Sequence, residues 1–339
     1  MAIADPKAAL PAAPAAAAAT PAGDAVPVAP VGAVPSPLVS SAIVSPARAI
    51  LMMVASVAFF AVMDALVKDL GARYPTMQVM FFRSLFAFVP ILFLILHGGS
   101  LKALRVNSLS GHLLRSLVGV AAMFCFFHAY ARMPLADVVA ISFAAPVFVV
   151  ALSVPLLGET VGPRRWAAVL VGFVGVMIMI RPDAGLLTSV AVVPLLGTLF
   201  FALAMIVLRR LGRTETSASV AFTFTLACTV VSGLALPFVW VTPDLLDLAA
   251  LIAVGLLGGV GQILMTAAFK HGDVAVIAPF EYTAMVWATL LGFVFWGEVP
   301  GLNIWTGVAI VMASGLFILF REANLRLPRG RARRLQVKR

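Results

Sequence analysis

Five ionisable side chains stand inside long apolar runs of this sequence: Asp64, Arg83, Arg115, His128 and Glu281. An ionised group at the centre of a bilayer costs about 2.5–3.5 kcal/mol on insertion scales, so each is a functional candidate by default. Their chemistry is limited. A carboxylate at Asp64 or Glu281 can take up a proton or neutralise a cation. The guanidinium of Arg83 or Arg115 can hold an anion or close an ion pair. The imidazole of His128 can change charge near neutral pH. No nucleophile–base arrangement accompanies them, neither H-E-x-x-H nor a serine-hydrolase signature, and the G-x-x-x-x-G-K-[ST] loop of an ATP-driven pump is absent. The set suits binding and gating rather than bond making. No catalytic residue, cofactor or metal site is expected.

The elements that must position these residues lie in lipid. The 339 residues are 62% hydrophobic and only 11% charged, with a mean hydropathy of +1.08, whereas ordinary globular domains are about 25% charged. Apolar runs fall at about residues 49–67, 76–96, 111–130, 136–157, 165–180, 189–208, 217–240, 248–269, 274–296 and 303–320. Each is a transmembrane-helix candidate. The alternating ten-residue strands of a membrane β-barrel are missing. Residues 1–48 are rich in alanine and proline and read as a disordered tail. Cys125 and Cys228 lie within apolar runs and read as small buried hydrophobes.

The net charge of +10 does not point to nucleic acid. Eight of the 24 basic residues fall in Arg321–Arg339, where a polybasic tail after a span suits a cytoplasmic anchor on anionic lipid. The Lys/Arg bias orients the rest. With the N-terminus inside, Lys7, Arg48, Lys102, Arg105, Arg164, Arg165, Arg209, Arg210, Arg213 and Lys270 are inside, against Lys68, Arg73, Arg132 and Arg181 outside. Both termini are expected in the cytoplasm of a cell whose inner membrane the chain crosses repeatedly.

The chain also contains itself twice. Shifted by 139 residues, Ala129–Trp166 lies over Ala268–Trp305 without a gap, setting Phe143 on Tyr282, Gly158-Glu159 on Gly297-Glu298, and Trp166 on Trp305. A weaker match shifted by 141 sets Phe59-Phe60-Ala61 on Phe200-Phe201-Ala202. Each half holds five spans. Five is odd, so the second half enters the membrane inverted, and inverted repeats are how many secondary transporters obtain two equivalent packings open to opposite sides. The expected fold is an all-α membrane protein of ten transmembrane helices in two inverted five-helix repeats, 49–182 and 188–321, with a basic tail at 322–339.

The doubled pattern, "PLADVVAISFAAPVFVVALSVPLLGETVGPRRW" in one half and "GDVAVIAPFEYTAMVWATLLGFVFWGEVPGLNIW" in the other, resembles the EamA-type drug/metabolite transporter superfamily over about residues 50–321. Segments such as "MFFRSLFAF" and "APFEYTAMVWA" look most like its S-adenosylmethionine-uptake-like or riboflavin-transporter-like members. The resemblance implies a carrier of a small polar metabolite such as S-adenosylmethionine, riboflavin or an amino-acid-like compound, with a cavity between the halves. An intramembrane enzyme and a passive channel are the alternative classes. The partners are the metabolite and the bilayer, with proton coupling and a homodimer left open and no nucleic acid.

Depth sorts the candidates. Asp64 and Arg83 both fall towards the outer ends of spans one and two and could pair. Lys68, four residues after Asp64, competes as its partner. Arg115 enters span three about one turn above the cytoplasmic face, where it could snorkel. Glu281 sits at similar depth in the opposite half, so an Arg115–Glu281 pair would gate that side. His128, near the outer end of span three, is either a hydrogen-bonded structural residue or a proton-responsive group. Tyr130, Tyr282, Phe143, Phe280 and Trp287 could face a planar or cationic ligand or only pack. Pro146 and Pro279 should open bends in spans four and nine. Gly255, Gly258, Gly259 and Gly261 give span eight a smooth face. Glu159 and Glu298 recur at opposite membrane faces, which suggests that each caps the helix that follows it. Glu281 has no such twin, since Ser142 stands at the matching position.

Overall fold

In lipid every backbone N–H must find its carbonyl within the protein, and for long apolar segments the helix is the local solution. The computed structural model describes residues 46–97, 104–158, 161–180, 189–212, 214–272 and 274–326. The tail assignments and Glu159 lie outside them. Ten helical segments among the described residues are long and apolar enough to cross a membrane.

The first half comprises α1 (Pro46–Gly71), α2 (Thr76–His97), α3 (Leu109–Tyr130), α4 (Leu135–Ser142), α5 (Ala145–Leu157) and α6 (Pro163–Ile180). The second comprises α7 (Ser189–Leu211), α8 (Ser217–Val239), α9 (Leu245–His271), α10 (Val274–Ile277), a 3₁₀ turn over Ala278–Tyr282, α11 (Thr283–Trp296) and α12 (Leu302–Arg326).

Spans four and nine are therefore each broken. Pro146 has no N–H to offer the Ser142 carbonyl, so α4 stops and α5 begins at Ala145. Pro279 likewise turns α10 into a 3₁₀ segment before α11. The two breaks coincide under the 139-residue shift although the prolines do not. Each broken span ends on a glycine held at φ 67°, Gly158 or Gly297, a left-handed conformation that side chains disfavour.

The packing is intertwined. α1 lies along α9, and α7 along α3. α2 packs on α9, and α8 on α3. α5 packs on α7, and α11 on α1. The pairs α2–α8 and α6–α12 bridge equivalent elements, and α4–α11 joins the two broken spans. All but the last of these contacts map onto another, or onto themselves, when the halves are exchanged. α9 approaches closely because of its glycines: a Cβ on Gly255 would stand 2.9 Å from the Phe82 carbonyl, and one on Gly259 2.2 Å from the Pro90 ring. The Ser56 hydroxyl donates to the Gly261 carbonyl at 2.7 Å, fixing α1 on the same helix.

The start of α1 and the end of α12 define one face, here the terminal face. The loops at 72–75, 131–134, 240–244 and 297–301 make the far face.

Candidate binding site and its gates

Asp64 of α1 lies seven residues from the end of its helix, about 10 Å from the far face at 1.5 Å per residue. The Tyr130 hydroxyl of α3 donates to its Oδ2 at 3.1 Å. Neither charged partner expected from the sequence touches it. Arg83 interacts with it electrostatically, but no ion pair within 4.0 Å joins them among the described residues. Lys68 turns away to Glu298. A neutral hydroxyl satisfies a carboxylate without stripping water from a second full charge.

Arg115 does not snorkel. Its guanidinium lies over the Phe224 ring, 4.5 Å from the centroid. Its Nη1 occupies the space that a Cβ on Gly119 would need, at 2.3 Å. The side chain thus runs along α3 towards mid-membrane, because Gly119 leaves a slot and Phe224 offers a π-face. No Arg115–Glu281 ion pair forms among the described residues. Arg83 packs beside Gly258, whose Cβ would stand 3.4 Å from the Arg83 Nε and 2.8 Å from the Met63 sulfur. The thiol of Cys228, fully buried at the midpoint of α8, is within electrostatic reach of both arginines. Arg83 Nε, Arg115 Nε and Arg115 Nη1 are buried with no hydrogen-bond partner.

Glu281 sits on the 3₁₀ turn of the broken ninth span. Its side chain has an accessible surface and is not packed in a core. Tyr282 beside it meets Phe143, its counterpart in the first half, edge to face at 5.0 Å. His128 stands apart at the rim, stacked on Phe124 at 5.6 Å and within 3.1 Å of Arg132. The structure thus places Asp64, Arg83, Arg115, Tyr130 and Tyr282 within the bundle, sets Glu281 beside Tyr282 with an accessible surface, and leaves His128 outside the group.

The far face is closed by bonds between the halves. Lys68 Nζ reaches Glu298 Oε1 at 2.7 Å, and Glu298 Oε2 accepts the Leu135 N–H at 2.9 Å. Glu298 therefore caps α4 of the other half, not the helix that follows it: the broken fourth span begins there with backbone donors to fill. Arg73 pairs with Asp247 at 3.1 Å, and the Tyr74 hydroxyl donates to the same carboxylate at 2.8 Å, which holds the Tyr74 pKa above the usual 10.0. Gln78 exchanges two bonds with the Val241 backbone, at 2.7 and 2.9 Å.

The terminal face carries a cluster that sequence reasoning missed. Glu215, in the α7–α8 loop, accepts the backbone N–H groups of Asn107 and Ser108 at 2.9 and 2.7 Å. His112 Nε2 lies 3.3 Å from it, and the other imidazole nitrogen is 2.7 Å from the Thr223 hydroxyl. Burial acts to raise the Glu215 pKa, but the bonds from His112, Ser108 and Asn107 outweigh it and hold the group below 4.5. This cluster and the Arg73–Tyr74–Asp247 cluster are counterparts. Each ties the loop after the first span of one half to the first turn of the third span of the other.

This architecture has known relatives. The EamA-like transporter family matches residues 47–181 and again 188–320. The chain belongs to that family. This EamA-family transporter is 33% identical over 260 residues to the pseudopaline exporter CntI of Pseudomonas aeruginosa, covering 75% of this chain and 90% of that one. It is 29% identical over 259 residues to an S-adenosylmethionine uptake transporter of Rickettsia bellii, covering 76% and 89%. It is 28% identical over 290 residues to a riboflavin transporter of Rhizobium johnstonii, covering 84% and 95%. A solved crystal structure at 20% identity shares the fold with a TM-score of 0.58, over 83% of this chain and 99% of that one.

Proposed function

We propose that this EamA-family transporter is a secondary carrier that moves a small polar metabolite across the inner membrane by alternating access between its inverted halves. Both termini lie in the cytoplasm on this reading. Asp64, Arg83, Arg115, Tyr130, Glu281 and Tyr282 line the path. His128 is left out because it stands at the rim. The observation that carries the reading is the placement of partnerless charge: among the described residues, Arg83 and Arg115 bury guanidinium nitrogens without an acceptor inside a bundle whose far face is clasped shut. A purely structural bundle gains nothing from such groups. A proton taken up by Glu281 or Asp64 would couple the cycle to the proton gradient.

Counterflow in proteoliposomes tests the reading, with labelled S-adenosylmethionine, riboflavin and amino acids on either side, since relatives include both uptake transporters and an exporter. A carrier shows label uptake driven by unlabelled solute inside. A channel or an intramembrane enzyme shows none. Glu281→Gln should change the rate at normal protein level, and an unchanged rate removes Glu281 from the path.

A further inference from the structure

We propose that the carried molecule is a small organic anion, and that Arg83 and Arg115 together bind its oxyanion group, a carboxylate or a phosphate. The proposal rests on the transport reading and names the chemical class of its cargo.

Among the described residues, three buried guanidinium nitrogens have no acceptor. Buried polar groups are otherwise almost always paired, and arginine stays charged at any accessible pH. A structural arginine at this depth would have taken one of the acids nearby. Asp64 is instead bonded to Tyr130, and Glu281 has no ion pair within 4.0 Å among the described residues. The acceptor for the two arginines is thus missing among the described residues.

The arginines are also positioned. Gly119 and Gly258 lie on different helices and in different halves: the Arg115 Nη1 fills the room that Gly119 leaves, and Arg83 packs against Gly258 beside the Met63 sulfur. Phe224 supports the Arg115 plane from one side, which leaves the N–H edge of the fork to present donors. That flat array matches two oxygens of a carboxylate or phosphate. Arg83 enters from the far-face end of α2 and Arg115 from the terminal-face end of α3. Their guanidinium groups end beside Gly258 and Gly119, at the middles of α9 and α3. One anion at mid-membrane can therefore engage both, where a carrier needs its site to be reachable from either side. A lipid headgroup is a poor candidate for this position, which lies near mid-membrane.

The test uses purified full-length protein in liposomes. Vesicles are loaded with a small-molecule extract of bacterial cytosol, and in a second arm the extract is placed outside. Mass spectrometry reads what crosses for wild type, Arg83→Gln, Arg115→Gln and Arg115→Lys. Every species moved should carry a carboxylate or phosphate, and the mass spectra tell the two apart. Each glutamine variant should slow transport about tenfold or more, as expected for a lost charge-assisted bond, and Arg115→Lys should recover part of the rate. Riboflavin, which bears no oxyanion, should not cross. Movement of an uncharged or purely cationic species, or wild-type rates in the glutamine variants, would overturn the assignment. Unfolding temperature separates binding from structure: Arg83→Gln breaks no hydrogen bond or ion pair and should unfold no lower than wild type, whereas Arg115→Gln also gives up its contact with the Phe224 ring, so Arg83→Gln carries this readout. Lost transport with a lowered unfolding temperature in Arg83→Gln makes that arginine structural and also overturns the assignment. If wild type moves nothing in either arm, the transport reading fails and the assignment falls with it.

Discussion

Glu298→Gln should unclasp the far face. The Lys68–Glu298 pair is 2.7 Å long, with side chains 10% and 19% exposed. Glutamine keeps the size and can still accept the Leu135 N–H, so the cap on α4 survives. What goes is the charge opposite Lys68, which is left with the Met133 carbonyl and the Trp296 ring, 5.3 Å from its centroid. Removing one partner of a buried pair costs about 3–5 kcal/mol, and exposed pairs are worth about 0.2–1 kcal/mol. This pair lies nearer the buried limit, so about 2–3 kcal/mol is the working figure. If the clasp exists only while the far face is closed, that energy moves the closed-to-open ratio by about 30- to 150-fold. Spin labels at Ala72 and Val299, both exposed on that face and in opposite halves, read the change as a new, longer distance in pulsed electron resonance. Lys68→Met should give the same population, and the double variant little more, because the two changes remove one interaction. An unchanged distance distribution alongside a lowered unfolding temperature would refute the reasoning: the pair would then persist in every state and act as ordinary structure.

Tyr130→Phe removes the hydroxyl bonded to Asp64 and should lower stability by about 1.5–3 kcal/mol, the range for a bond to a charged group. Thermal unfolding of the purified protein measures it, and Asp64→Asn should shrink the effect. Gly119→Val places atoms where Arg115 Nη1 and the Phe224 ring lie, 2.3 and 2.6 Å from the new Cβ. Overpacking of this kind costs about 1–3 kcal/mol, and transport should fall further than stability because the arginine is pushed off its ring. Glu215→Gln tests the terminal-face cluster through pH. The folded-state pKa of Glu215 is depressed, so its contribution is fully present above the unfolded value of about 4.5 and is lost as pH falls through the lower folded value. The unfolding-temperature gap between wild type and variant should therefore be constant near neutrality and close on acidification.

The ten spans and their inverted doubling were legible because lipid imposes long apolar runs and duplication leaves a shift that can be counted. The break at Phe143–Ala144 was half legible. Pro146 announced a bend, but "SFAAPVF" is apolar throughout and hides where the helix stops. Partners were the least legible, since sequence spacing reports neighbours on one helix and not across the bundle. Lys68 is the natural i+4 partner of Asp64, yet it bonds Glu298, 230 positions away. His112 and Glu215 were missed for the same reason. The available signal was weak: a cap residue, Ser108, opening a span, and an acid in a short loop. Arg115 was misjudged because snorkelling is the default for an arginine near a span end, and the slot at Gly119 shows only when helices are packed.

Phe143 and Tyr282 meet on the axis that relates the halves, and they differ by one hydroxyl. That hydroxyl lies 2.5 Å from where a Cβ on Gly315 would stand. The position matching Gly315 in the first half is Val176. The second half has room for an oxygen that the first half neither carries nor accommodates. In a carrier whose two conformations arise by exchanging the roles of its halves, identical halves would make both conformations equal in energy. Here the Phe143–Tyr282 contact is unequal, so on the proposed alternating-access cycle the empty transporter would have a built-in resting side. Tyr282→Phe paired with Phe143→Tyr is the exchange that would move it.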